Sequence, residues 1–169
     1  SATGLTNTVN NYFLIRRLII NPSNTQIVLA ATNSGVYRTA NGGTSWTQVS
    51  TANCFDLEFK PGDPNTIYAG GTSLRISTNG GTSFTQVTSG ITTAAGRMAI
   101  AVTPNDVNYV YVLATNSSSG FLGLYRSTNS GTTFSVMSTT PNILDGSTTG
   151  NTTGGQGWYD LCIAASPLN

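Results

Sequence analysis

Short stretches of alternating apolar and polar residues recur along this chain, each closed by Gly, Asn or Pro. GVYR (35–38), TQVS (47–50), GLYR (123–126) and SVMS (135–138) alternate with a period of two, which turns one face of a pleated strand toward a core. TQIVLAAT (25–32), TIYAGG (66–71) and YVYVLAT (109–115) are apolar almost throughout, as strands covered on both faces are. GITTAAGRMAIA (90–101) comes nearest to a helical pattern, but its second half matches other strand-Pro runs and reads as a strand. The pattern predicts an all-β chain.

The strands belong to a repeat. TANGGTSW (39–46), STNGGTSF (77–84) and STNSGTTF (127–134) align without gaps, and each lies between two of the alternating runs. Upstream of each is a strand closed by Pro and then Asn: LIRRLIINPSN, CFDLEFKPGDPN and RMAIAVTPNDVN, with a fourth, GWYDLCIAASPLN, at the end. Pro22, Pro61, Pro104 and Pro167 mark this corner four times. One repeat therefore reads strand A, Pro-Asn corner, strand B, turn, strand C, Asn-Gly hairpin, strand D. Four short strands per roughly 40–50 residues is the arithmetic of a propeller blade. We expect a partial β-propeller of three four-stranded blades plus the inner strand of a fourth. Its parts are a lead-in at 1–10, blades at 11–50, 51–90 and 91–138, a long loop at 139–157 and the fourth inner strand at 158–169. Propellers close with about 4–8 blades, so the expected partner is the rest of the propeller or another chain that completes the ring.

The turn has a mechanism. Asn-Gly at 41–42 and 79–80 suits the positive φ angles of a tight hairpin, and the Ser or Thr two residues before the Asn can hydrogen-bond the turn's own backbone. Thr39, Asn41, Gly43 and Trp46, then Ser77, Asn79, Gly81 and Phe84, then Ser127, Asn129, Gly131 and Phe134 are the structural residues of three such turns. At these residues the chain resembles the Asp-box, or BNR-repeat, β-propellers, whose motif Ser/Thr-x-Asp-x-Gly-x-x-Trp/Phe recurs in sialidases, xyloglucanase-type glycoside hydrolases, sortilin-type receptors and photosystem assembly factors. Asn41, Asn79 and Asn129 stand where that family has Asp. The resemblance implies a structural box, set apart from the family's catalytic face. The GGQGWYDLCIAASP phrasing and the Thr- and Asn-rich strands are also similar to large repeat proteins exported by the type IX secretion pathway of gliding bacteria, which implies a secreted or cell-surface location and contact with secretion or outer-membrane components.

Composition narrows the chemistry. Charged residues are 8% of the chain against roughly a quarter in average soluble proteins, and Lys plus Arg exceed Asp plus Glu only by seven to six. Nucleic acid as a partner has no electrostatic engine here. The longest apolar run is far below the ~20 residues of a membrane helix, so no membrane insertion is expected. His is absent, which removes imidazole catalysis and His-ligated metals, and no cofactor is indicated. Cys54 and Cys162 are read either as free buried thiols or as one bridge.

Candidate sites follow from where charges and long loops fall. Of thirteen charged residues, seven lie on A strands: Arg16, Arg17, Asp56, Glu58, Lys60, Arg97 and Asp160. Strand A is innermost in a propeller, so Asp56, Glu58 or Asp160 could act as paired carboxylates for glycoside chemistry, or Arg17 and Arg97 could neutralise them with no catalytic role. The two longest connections, about 115–122 and 139–157, both join strand ends on the face shared by the B–C and D–A turns. Recognition favours long loops on a rigid scaffold. Asp145, Trp158, Tyr159, Phe121 and Arg97 are the binding candidates on that face, with Trp158 and Tyr159 read either as a sugar-stacking pair or as a plug between blades. Asp145 alone is too few carboxylates for a Ca²⁺ cage. The leading expectation is a glycan- or protein-binding segment of an exported propeller. The alternatives are part of a polysaccharide-degrading glycoside hydrolase and a passenger of a secretion machine.

Overall fold

The computed structural model describes residues 3–5 and 13–168; most of the expected lead-in, residues 11–12 of the first expected blade and Asn169 lie outside them. Among the described residues the regular structure is strand only, in three antiparallel sheets of four. The first holds β1 (Ile15–Ile20), β2 (Val28–Thr32), β3 (Gly35–Thr39) and β4 (Thr47–Ser50). The second holds β5 (Cys54–Lys60), β6 (Asp63–Gly71), β7 (Leu74–Ser77) and β8 (Thr85–Gln86). The third holds β9 (Met98–Val102), β10 (Val110–Thr115), β11 (Phe121–Ser127) and β12 (Ser135–Ser138). Every sheet keeps its strands in chain order, and β5 packs beside both β1 and β9. This is the all-β, partial-propeller architecture that the repeat predicts.

The core lies between sheets. Ile19, Leu29, Ala31 and Val36 of the first meet Leu57, Ile67 and Ala69 of the second. Tyr68 and Leu74 of the second meet Met98, Ile100, Val110 and Val112 of the third. Inner strands thus carry bulky residues on the face toward the preceding sheet: Leu57 and Phe59, then Met98 and Ile100. Leu18 and Ile20 hold the same positions in β1 and are 55% and 58% exposed, since none of the described sheets packs on that face.

All three boxes fold alike. In the second, Gly81 N donates to Ser77 Oγ (2.9 Å), Ser77 Oγ donates to Asn79 Oδ1 (2.8 Å), Ser83 N donates to the same oxygen (3.1 Å), and Asn79 Nδ2 donates to Ser83 Oγ (2.8 Å). The first and third repeat these bonds with Thr39, Asn41 and Ser45, and with Ser127, Asn129 and Thr133. Two consecutive residues in each turn have positive φ, Gly42 and Gly43, Gly80 and Gly81, Ser130 and Gly131. In the second and third boxes a side chain at the second of them is excluded by the neighbouring sheet as well as by φ. A Cβ on Gly81 would lie 2.5 Å from Leu29 Cδ2, and one on Gly131 would lie 2.7 Å from Ile76 Cδ1. The box is therefore an inter-sheet contact as well as a hairpin. Arg38 Nε donates to Gly80 O (2.9 Å), Tyr68 OH to Ser130 O (3.3 Å), and Lys60 Nζ to Ser130 Oγ (2.8 Å).

Two expectations need correction. The run expected as a fourth inner strand sits where one belongs, with Leu161 packed on Ala99, Leu113 and Phe121, but 161–166 form no ladder. A strand needs a partner's N–H and C=O groups, and no described segment offers them on that side. The cysteines are not bridged, and only one is buried: Cys54 is enclosed while Cys162 is exposed.

Candidate functional site

The inner strands present their free edges toward the axis, where backbone groups lack a ladder partner. Charged side chains satisfy them, each reaching one strand onward. Arg16 Nη1 donates to Cys54 O (3.1 Å) at the start of β5, and also bonds Asn53 Oδ1. Asp56 Oδ2 accepts from Ile100 N (2.8 Å) in β9, and Arg97 Nη1 donates to Trp158 O (2.9 Å). This stepwise capping explains why A strands hold so much of the chain's charge.

The same residues line a cleft of about 180 Å³. Arg17 Nε stands 3.6 Å from Asp56 Oδ1, and its Nη2 pairs with Glu58. Phe55 lies under Arg16, whose guanidinium carbon is 4.0 Å from the ring centre, with Arg97 at 5.5 Å. Burial raises the Glu58 carboxyl above its ordinary value; Arg17 opposes this and Asp56 adds to it. Cys54 is pushed up to about 12, chiefly by burial, which makes it an inert thiol. Asp56 spends Oδ1 on Leu57 N and Arg17, and Oδ2 on Ile100 N. Asp160 is exposed and is not among the residues lining the cleft. The structure thus brings Asp56 and Glu58 together on Arg17 and leaves Asp160 apart from them.

At the other candidate region the two long connections meet. Asn116 Nδ2 donates to Thr153 O (2.8 Å), and Gly155 N and Gly157 N donate to Ser118 O and Ser119 O. Asn142 organises the longer one: its Oδ1 accepts from Phe121 N (2.7 Å) and Leu144 N, and its Nδ2 donates to Thr152 O and Gly154 O (2.7 Å). Asp145 accepts from Ser147 N, Ser147 Oγ and Thr152 N. The Ser147 and Thr152 hydrogen bonds hold its carboxyl well below the usual range. Asp145 is thereby committed to shaping its own loop.

Phe121, expected at a binding surface, is 8% exposed and packs with Ala99, Leu113 and Leu161, because the β11 alternation turns its ring inward. Trp158 and Tyr159 do the opposite. They are 70% and 72% exposed, with ring centres 5.4 Å apart and planes tilted by 50°. In this structure they plug no gap between the described sheets. The Arg97 bond fixes the Trp158 carbonyl, and Tyr159 N and Asp160 N both donate to Gln156 O, so the pair stands on an ordered turn beside the axial cleft. Sequence reasoning missed Asn142, whose role shows only once both loops are in place.

No family model matches this chain, and no curated protein matches it. Among solved structures, an ancestral GH74 enzyme is similar over 76% of the chain at 24% identity, with a TM-score of 0.63. The GH74 enzyme of Niastella koreensis is similar over 73% at 19% identity and TM-score 0.51. YCF48 from Cyanidioschyzon merolae is similar over 74% at 14% identity and TM-score 0.51. The chain spans only 19%, 22% and 37% of the lengths of those structures. At these identities the likeness concerns the fold, and with the three box-linked sheets it makes this chain a three-bladed stretch of β-propeller.

Proposed function

We propose that this chain is part of an exported β-propeller that binds glycan at the end of the blades formed by the long loops. The exposed Trp158–Tyr159 pair carries the reading. Two aromatic faces on a hydrogen-bonded turn present apolar planes to which sugar C–H faces stack, while Asn and Thr side chains of the joined loops offer donors and acceptors to hydroxyls. The similar GH74 folds are compatible with glycan work, and the low charge and hydroxyl-rich strands suit an exported protein.

Binding is favoured over hydrolysis by a specific observation. Glycoside hydrolysis needs one carboxyl free to protonate and another free to attack or activate water. Asp56 is bonded through both oxygens, and Glu58 is paired to the same arginine. Their arrangement is that of an edge cap and ion pair.

The test is a polysaccharide and glycan array probed with the protein and its W158A/Y159A double variant. Retention on at least one glycan, weakened about tenfold or more by the double substitution, is expected from loss of the two aromatic faces. Equal retention of both proteins would count against the site. Hydrolysis abolished by D56N or E58Q would replace binding with catalysis.

A further inference from the structure

The contact between one blade and the next box occurs twice, and the third blade carries the receiving half with no box among the described residues seated on it. Strand pairing fixes the equivalence: Leu29 lies opposite Arg38, Tyr68 opposite Ile76 and Tyr111 opposite Arg126, each one step from the first residue of a box. Leu29 is the surface on which Gly81 rests, and Tyr68 with Ile76 the surface under Gly131. Arg38 Nε bonds the carbonyl of the residue before that glycine. Arg126 occupies the Arg38 position, and its Nε, like those of Arg75 and Arg97, is shut away from solvent with no acceptor among the described residues. Its guanidinium lies 5.5 Å over the Tyr109 ring. Tyr109 in turn lines a cleft of about 500 Å³ with Tyr111, Leu124, Thr103, Ile163 and Ser166. Residues 163–166 form the cleft's inner wall, and the run 161–166 has a free edge.

We propose that this cleft is the receptor for a fourth box, carried on a three-stranded segment that pairs with 161–166 and completes the sheet they begin. The occupant's turn has the sequence Ser/Thr-x-Asn-Gly/Ser-Gly. Its final glycine rests on Tyr111, and the carbonyl before it accepts from Arg126 Nε. Any side chain at that glycine meets the Tyr111 ring, as a Cβ on Gly131 would come within 3.0 Å of Tyr68. A second copy of this chain is not the occupant. Its own β1 would have to take the inner position that Leu161 and Ile163 already hold against Leu113 and Phe121. The cleft is at the Pro-corner end of the sheet, opposite Trp158, so the assignment does not rest on glycan binding.

The second blade supplies a probe in register. Pro167, Leu168 and Asn169 correspond to Pro61, Gly62 and Asp63, so residues 64–88 appended after Asn169 add strands B, C and D with their box. The extended chain should unfold with a midpoint at least about 5 °C above the full chain alone, and the 161–166 amides should become slow to exchange. Gly→Val at the appended copy of Gly81 should abolish both effects. R126M should lower the midpoint more in the extended chain than in the unextended one, where only its contact with the Tyr109 ring is lost. Unchanged midpoint and exchange, equal protection from the Gly→Val extension, or self-association of the unextended chain through this face would each overturn the proposal.

Discussion

Asn at the third box position uses both ends of its amide. Its Oδ1 accepts from the Ser or Thr hydroxyl and from the backbone, while Nδ2 meets a second hydroxyl at position 45, 83 or 133. In an aspartate that second hydroxyl can reverse and donate. N79D should therefore change stability by less than about 0.5 kcal/mol, whereas N79A, which strands the Ser83 amide and the Ser77 hydroxyl, should cost about 1–2 kcal/mol in urea unfolding. Equal losses for both would show that the turn does not depend on the oxygen. Glu58 makes a prediction in pH. Its folded carboxyl titrates above the ordinary 4.5, so the folded state holds that proton more tightly than the unfolded one. The stability so gained is full below pH 4.5 and is lost as pH rises through the raised value. E58Q should flatten the stability profile over that window, and an unchanged slope would reassign it to other groups.

At the scale of elements, the box glycines separate backbone strain from packing. Gly43 and Gly81 share positive φ, at 93° and 80°, but a Cβ on Gly43 would meet only the Trp46 ring at 3.9 Å. G81A should be more destabilising than G43A by about 1–3 kcal/mol, the range for forcing an extra methyl into a packed core. Similar losses would mean that the box does not bear on the preceding sheet. These elements were legible because each repeat states them in local chemistry: turn residues, alternation and the corner Pro. What was not legible depends on neighbours. Arg38 reads as a repeated strand residue until Gly80 arrives 42 positions later to accept its hydrogen bond. Phe121 reads as a loop aromatic until β11 pairs and turns it inward. A short echo was also overlooked. Thr3-Gly4 runs beside the first box as Ser89-Gly90 does beside the third: Trp46 N donates to Thr3 O (2.8 Å) and Phe134 N to Ser89 O (3.0 Å), and both glycines have positive φ. The signal was present as TGL at 3–5 and SGI at 89–91, but three residues are too few to stand out before the boxes are fixed in space.

The whole molecule is a row of blades joined by the same two devices at each step. Near the axis, a charged side chain caps the next inner strand's edge; farther out, a box settles on the sheet before it. Asp160 aside, the charges on A strands all make contacts from one blade to the next, which accounts for their concentration there. The proposed glycan site lies instead on the long loops, where Asn142 and Asp145 hold a surface and Trp158 and Tyr159 project from beside it. Trp46 and Trp158 are the only tryptophans, so in a W46F variant all indole emission reports on the proposed site. Titrating that variant with an oligosaccharide of the glycan it retains should shift Trp158 emission to shorter wavelength in a saturable curve, as the ring leaves water for a sugar face. Saturable binding with no change in Trp158 emission would contradict the account.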